Sequence, residues 1–435
     1  MNALTGRRRV AVIGSGVSGL VTAHVLGPHH DVVLYEADRR LGGHTNTIDV
    51  EDPLTGPVSV DTGFIVHNDR NYPNLVGLLL ELGVETQDTT MSFSVTDRDP
   101  TSPTAGFSYC ATGPNTLFAD RRNLVRPVMW TMLREIRRFH RRAHAFLRRP
   151  DPSMTLDHFL DLGRFSRDFV ELHLRPMGSA VWSADPSTFG QFPALSLFTF
   201  LENHGLLGLR GRPQWRTVVG GSRVYVEAIA SRFAGQVRLG SPVSSVERRA
   251  DGEIIVTTPH GRDQFHAVVL AVHSDQALAM LHAPTDRERD VLGAVRYQTN
   301  RATLHTDVSL LPPNRRAWAA WNYDRRGEDE KQATLTYDLT ALQHLPGSRR
   351  YLVSLNSDAH IDPSATLATM DYAHPVFDAP AVDAQRHFDV IDGVGGAHYC
   401  GAWWGYGFHE DGVRSALRVC ERLGVRWPGT VRERE

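Results

Sequence analysis

Lysine is nearly missing: Lys331 is the only one in 435 residues, and every other permanently cationic side chain is an arginine. A GC-rich genome accounts for the bias, but its chemical consequence does not depend on the cause. Any step that needs a lysine as a base must use Lys331. Cysteine is scarce too. Cys110, Cys400 and Cys420 have no metal-ligand spacing and make no disulfide framework, so no metal site is expected and a reducing cytoplasm is the simplest compartment. No apolar run approaches the ~20 residues of a membrane-spanning helix. The N-terminus enters a strand without a signal-peptide pattern. A net charge of −2 gives no global pull toward nucleic acid. The chain is too long for one simple core, so two domains are expected.

What is present is organised around glycine. Arg9–Ile13 is a valine-rich run, Val17–Leu26 reads as a helix, and Asp31–Tyr35 as a second strand, the start of a βαβ unit. Between the first strand and the helix stands Gly14-Ser15-Gly16-Val17-Ser18-Gly19, with G-x-G-x-x-G spacing. In that context Gly14 permits the tight turn, Gly16 lets a pyrophosphate approach the backbone, and Gly19 lets the helix pack on the strand. Ser15 and Ser18 flank the approach, and the helix start offers N–H groups to the anion. Glu36, followed by Ala37, ends the second strand where an acid accepts ribose hydroxyls. A second pair, Gly42-Gly43, lies in Arg39-Arg40-Leu41-Gly42-Gly43-His44-Thr45. NAD does not require it, but a longer ligand with a ribityl chain would use it. Val60-Asp61-Thr62-Gly63-Phe64 reads as a strand ending in a glycine turn, placed to lie beside an isoalloxazine ring.

Later strands are expected at Val243–Glu247, Glu253–Thr258 and Ala267–Val272. A mostly helical region covers about 115–210 and a mixed one about 290–385, and Ala397–Leu423 reads as strand, glycine-rich turn and helix.

Together these motifs resemble the flavin-containing amine oxidoreductase superfamily, which includes amine oxidases, protoporphyrinogen oxidases and phytoene-type desaturases. Val219-Gly220-Gly221-Ser222 and Ser241-Pro242-Val243 resemble the family's return into its cofactor domain, and Tyr399-Cys400-Gly401-Ala402 through Asp411-Gly412-Val413 its closing flavin motif. The resemblance implies an α/β fold: a Rossmann-like, GR2-type FAD-binding domain with a discontinuous α+β substrate domain. The FAD domain would comprise 1–66, 216–280 and 385–430, and the substrate domain 67–215 and 281–384. It implies FAD as cofactor, with the Val243 backbone at the adenine end. Gly412 and Val413 would open a helix toward the flavin N1/O2 edge, where a positive helix end stabilises reduced flavin. Two positions depart from the pattern: Ala402 stands where the family usually has an acid for the ribityl chain, and His44 where it often has arginine.

Gly407-Phe408-His409-Glu410-Asp411-Gly412, with Trp182-Ser183, Asn203–Leu207 and Trp215-Arg216, is similar to a bacterial branch of predicted NAD/FAD-binding proteins. That branch is associated with cyclopropane-synthase-like methyltransferases, and some members resemble the desaturase of furan-fatty-acid synthesis. The resemblance implies a lipid or fatty acyl substrate and a methyltransferase partner. Amine oxidases of the superfamily commonly place a lysine near flavin N5. The comparable stretch Thr299–Leu304 has none, and Lys331 sits in a charged loop. Carbon–carbon oxidation in a lipid is therefore the favoured chemistry, with His409 as general base and Glu410 second. An amine oxidase and a non-catalytic flavoprotein partner of a methyltransferase are the alternatives. His204 and the aromatics Trp403, Trp404, Tyr406 and Phe408 are further candidates for the substrate face. Arg121–Arg149 holds ten arginines and one acid with apolar residues at helical spacing. It reads either as a cap on the core or as a basic amphipathic helix on an anionic membrane at the inner face.

Overall fold

The computed structural model describes residues 6–182, 188–208, 211–327 and 334–431; Ser183 and Lys331 lie outside them. The strand Arg9–Ile13 pairs in parallel with Asp31–Tyr35 on one side and Ala267–Leu270 on the other, Val12 facing both Leu34 and Val269. Gln236–Arg238 and Ala397–Tyr399 complete a five-stranded, all-parallel sheet. All but the edge strand Gln236–Arg238 are buried on both faces, as parallel sheets require. Val10, Val12, Val32 and Leu34 face a helical layer formed by Val17–Leu26, Pro73–Leu82, Arg223–Arg232 and His409–Arg422. Ala11, Ile13, Val33 and Tyr35 face the antiparallel three-stranded sheet Ser245–Arg248, Ile254–Thr258 and Gly261–Phe265.

The second unit is built on a seven-stranded sheet. Its order is Thr366–Val376, Arg296–His305, Leu352–Leu355, Leu335–Asp338, Trp321–Arg325, Phe93–Asp97 and Ser108–Cys110. Helices from Pro127–Arg148 to Ala194–Asn203 gather a phenylalanine-rich core beside it. The mixed α/β architecture follows the expectation. The packing differs at two helices assigned by sequence to the substrate domain. Pro73–Leu82 places Leu75, Leu78, Leu79 and Leu82 in the helical layer of the parallel sheet, and Asp286–Gly293 places Val291 and Leu292 on its other face. Apolar spacing shows that a helix has a buried side, but not which sheet will bury it.

Three remote segments meet at Asp61. Its carboxylate accepts from the Thr47 hydroxyl (2.6 Å), the Ser222 N–H (2.9 Å) and hydroxyl (2.7 Å), and the Gln343 amide (3.0 Å). Burial pushes its pKa up to about 6, against the pull of those donors. Gly221, with φ of +91°, passes so close that a Cβ would lie 2.6 Å from Thr47 Cγ2. This junction fixes the return of the chain into the parallel-sheet domain.

Candidate functional site

The carboxyl end of the parallel sheet opens on a cavity of about 910 Å³, where ligands of such folds bind. The Gly14–Gly19 turn forms part of its wall. Gly14 has φ of +96°, and a Cβ there would lie 2.7 Å from the Ala271 carbonyl oxygen, so the position demands glycine. Gly19 seats the helix: a Cβ would lie 1.8 Å from the Gly14 carbonyl oxygen, and the residue does not line the cavity. Gly16 is different, because a Cβ there would meet nothing within 4 Å. The space beside it is the cavity itself. The second glycine turn abuts the first. A Cβ on Gly43 would lie 3.2 Å from Gly16 Cα, and the Gly42 N–H donates to the Ser15 carbonyl oxygen at 3.0 Å. Two glycine turns sharing an edge, with open space over them, form a cradle that fits a pyrophosphate.

Glu36 closes one end. Its carboxylate accepts from the Ser15 N–H (2.8 Å) and hydroxyl (2.5 Å) and from the Asp38 N–H (2.9 Å). Ala37 and Val243 line the same cavity. Arg40, which the sequence reading passed over, lines it too. It donates to the Gly43 carbonyl at 2.8 Å and has no carboxylate partner among the described residues, leaving its charge available to an anion. His44, Thr62, Gly63 and Phe64 continue the wall. Gly63 is required by contact, since a Cβ would lie 2.1 Å from the His44 carbonyl oxygen. The Thr62 hydroxyl is held by the Asn46 carbonyl and by Tyr372 OH at 2.8 Å. Leu41 lies outside the wall, packed on the helical-layer core.

The motif Gly407–Gly412 sends each side chain to a different neighbour. A Cβ on Gly407, at φ of +90°, would lie 3.1 Å from the Phe377 ring, and Phe408 stacks on Phe200 with centroids 5.2 Å apart. His409 stacks on Phe64 at 3.5 Å, and its Nε2 meets Thr45 Oγ1 (3.0 Å) and Tyr225 OH (3.1 Å). Glu410 turns away, accepting from the N–H groups of Asn74 (3.1 Å) and Leu75 (2.9 Å) at the start of Pro73–Leu82. Asp411 accepts from the N–H groups of Tyr406 and Phe408, both at 3.0 Å, and so shapes its own turn.

Several expectations are corrected here. Glu410 is a helix cap outside the cavity wall, not a base in it. His409 does line the cavity, but its Nε2 is committed to the hydroxyls of Thr45 and Tyr225, so it locks the Thr45 loop. Thr45 serves that lock and does not line the cavity. The closing helix opens at His409, three residues before Gly412. Gly412 instead lets two helices touch: a Cβ would lie 2.6 Å from Val17 Cγ1, and the Ser18 hydroxyl donates to the Gly412 carbonyl at 3.0 Å. Val413 is core. His204 is also structural, stacked on Phe200 at 3.9 Å with Nδ1 2.9 Å from the Phe200 carbonyl oxygen. Gly401 and Ala402 line the cavity, as do Trp403, Tyr406 and Phe408, whereas Trp404 packs on Phe388. The starts of both helices, Val17–Leu26 and His409–Arg422, reach the cavity, so two positive helix ends converge on it.

Beside the cradle lies a histidine cluster of which the sequence reading named only His44. His44 lies 6.0 Å from His273 and 5.7 Å from His374 between ring centroids, and His273 stacks on Tyr297 at 4.3 Å. Burial and mutual repulsion push His44 to about 3, and burial pushes His374 to about 4, so both are neutral at physiological pH. The proton of His374 is placed by its neighbours. The backbone N–H of Arg301 must donate, which fixes Asn356 Oδ1 as acceptor at 3.0 Å. The Asn356 amide then donates to Asn300 Oδ1 (2.9 Å), and the Asn300 amide to His374 Nδ1 (3.0 Å). That leaves the ring proton on Nε2. Asn356 keeps this orientation at φ of +53°, in the left-handed region that asparagine tolerates better than most residues with a side chain. No spacing or alternation in the sequence marks these imidazoles, which come from three distant segments. Among the described residues, no group of histidine, cysteine and carboxylate side chains is arranged to hold a metal ion.

A family model described as flavin containing amine oxidoreductase matches residues 17–313, well over half of the chain. The chain belongs to that family. The double glycine cradle, Glu36 and the paired helix ends fit FAD, the cofactor of that flavin-containing family. The chain is 27% identical over 281 residues to amine oxidase [flavin-containing] A of Canis lupus familiaris, a match covering 60% of this chain and 49% of that protein. The chain thus spans about half the length of that relative. Among solved structures it is similar to cyclohexylamine oxidase from Brevibacterium oxydans IH-35A, with a TM-score of 0.69 at 18% identity, covering 96% of this chain and 100% of the other. It is similar also to a CLA-producing fatty acid isomerase from P. acnes, with a TM-score of 0.68 at 14% identity, covering 96% and 99%. These likenesses establish the shared fold.

Proposed function

We propose that this flavoenzyme is a dehydrogenase or desaturase of a fatty acyl chain, of the methyl-branched kind implied by the bacterial branch its sequence resembles. The carrying observation is the apolar lining of the cavity, with Trp182, Trp215, Trp321, Tyr337, Leu355 and Phe377 and no lysine among its described lining residues. Such a wall receives an alkyl chain by burial alone. The fold also serves a fatty acid isomerase, which supports the reading. FAD, when bound, supplies the two-electron acceptor for a hydride from one carbon. The chain's own residues must then orient the acyl group, exclude water and receive the proton from the neighbouring carbon. His374 presents a hydrogen-bond donor at Nε2, suited to a carbonyl oxygen or a developing negative charge. The neutral imidazole of His44 beside it is the acceptor in this proposal. An anionic substrate group would raise the low pKa of His44 toward the working range.

The test is anaerobic reduction of the bound flavin, with a methyl-branched unsaturated phospholipid and with simple amines. The lipid is expected to bleach the flavin. His374→Ala should retain FAD and slow that reduction by about 10²-fold. Asn300→Asp should do the same, because a carboxylate would draw the ring proton to Nδ1. Amine oxidation is the second reading, favoured by the aromatic residues that could also hold a cation. Bleaching by amines and not by lipid would establish it. A flavin that neither class reduces would favour a non-catalytic partner of a cyclopropane-synthase-like methyltransferase.

A further inference from the structure

The helix Pro127–Arg148 lies one layer outside the aromatic end of the cavity. Its buried side carries Met129, Met132, Phe139 and Ala143. Phe139 and Phe146 pack on Phe198 at 5.4 and 5.5 Å, and the helix of Phe198 presents Phe200 to Phe408. The opposite side is a single exposed stripe: Trp130, Arg134, Arg137, Arg141 and Arg148, spaced by three, four or seven residues. None of these four arginines has a carboxylate partner among the described residues. The one acid of the helix, Glu135, is buried under Arg138 and the Ser166 N–H, at 3.1 and 3.0 Å, and neutralises nothing on the stripe.

The stripe ends in apolar surface. Trp130 is 52% exposed, Leu124 47% and Val125 82%. The Trp130 indole N–H donates to the Leu124 carbonyl at 2.9 Å, which draws these residues into one patch. Unpaired arginines alone make a solvated face. Joined to an exposed indole and two aliphatic side chains, they ask for a partner that is anionic at its surface and apolar just beneath. A nucleic acid would satisfy the arginines and leave Leu124 and Val125 in water. A bilayer answers both.

We infer that this face docks on an anionic lipid bilayer, with Trp130, Leu124 and Val125 entering the interfacial layer and the arginines lying over the headgroups. The inference stands on surface geometry and does not depend on the substrate reading. The test is sedimentation of the flavin-loaded protein with phosphatidylcholine vesicles, with and without phosphatidylglycerol, over a range of salt. Binding is expected only to the anionic vesicles and should fade as salt shortens the Debye length. Each arginine near the surface is worth roughly a fivefold change in partitioning. Replacing Arg134, Arg137, Arg141 and Arg148 together with glutamine should therefore weaken binding more than a hundredfold. Trp130→Ala with Val125→Ser should weaken it while leaving the salt dependence. Both variants alter exposed side chains, so flavin content and flavin reduction should match the parent protein. Equal binding to neutral vesicles, binding to neither, or tighter binding to single-stranded RNA than to anionic vesicles at the same salt would overturn the inference.

Discussion

At Gly16 an added methyl group would enter open cavity, whereas at Gly412 it would strike Val17. The two glycines should therefore fail differently. Gly16→Val is expected to purify without yellow colour and to melt at the temperature of the FAD-free parent, because only the ligand is displaced. Gly412→Ala is expected to melt lower by several degrees, because the two helices must separate. Absorbance at the flavin band beside a thermal melt distinguishes the cases; a yellow Gly16→Val protein would show that the cradle is not where the cofactor lies. At this scale the sequence was legible wherever backbone geometry dictated residue type. Gly14, Gly16, Gly19, Gly42 and Gly43 sit as their spacing required. It was not legible for His409 and Glu410. A motif identifies a chain segment, and the direction of each side chain depends on neighbours such as Asn74, Thr45 and Tyr225 that lie far along the chain. His374 gave no signal at all, because its tautomer is fixed by amides that only the folded strands bring together.

Helix starts carry unsatisfied N–H groups, and here one helix is capped by another. Pro73–Leu82 has Tyr72 at its cap position, with no side-chain acceptor of its own, and Glu410 from the closing helix supplies the carboxylate. Removing a buried, charge-assisted cap costs about 2 kcal/mol. Glu410→Ala should thus lower stability by that order while leaving the rate of flavin reduction unchanged. Denaturant unfolding and stopped-flow reduction report the two quantities separately, and a large kinetic effect at unchanged stability would return Glu410 to the mechanism. Elements were read well where their pattern was local. The strands Arg9–Ile13 and Asp31–Tyr35 and the helix Val17–Leu26 fall where expected. The edge strand Gln236–Arg238 was missed: three residues, two of them exposed, carry too little alternation to be seen.

Across the whole molecule, stability follows the histidines. Burial depresses His67, His140, His204, His305 and His374 to about 4 and His44, His173 and His409 to about 3. In the unfolded chain each titrates near 6.5. The unfolded state therefore binds more protons below that pH, and the stability these groups confer is complete above about 6.5 and lost as pH falls toward 4. Asp61 and Glu410, raised to about 6 and about 7, act in the opposite sense over the same range, losing their contribution as pH rises. Eight groups outweigh two. The melting temperature is expected to fall steadily from pH 7 to pH 5 in calorimetry; a rise on acidification would mean that the two carboxylates dominate.

The helix contact between Ser18 and Gly412 joins residues 394 positions apart. During synthesis at ordinary ribosomal rates the first glycine turn waits roughly 20 to 80 s for the helix that completes its site. Throughout that interval the emerging chain carries a dinucleotide motif with one positive helix end and no lock on the Thr45 loop. A ribosome that stops short of Phe408 therefore releases a product that keeps the motif and has no complete pocket.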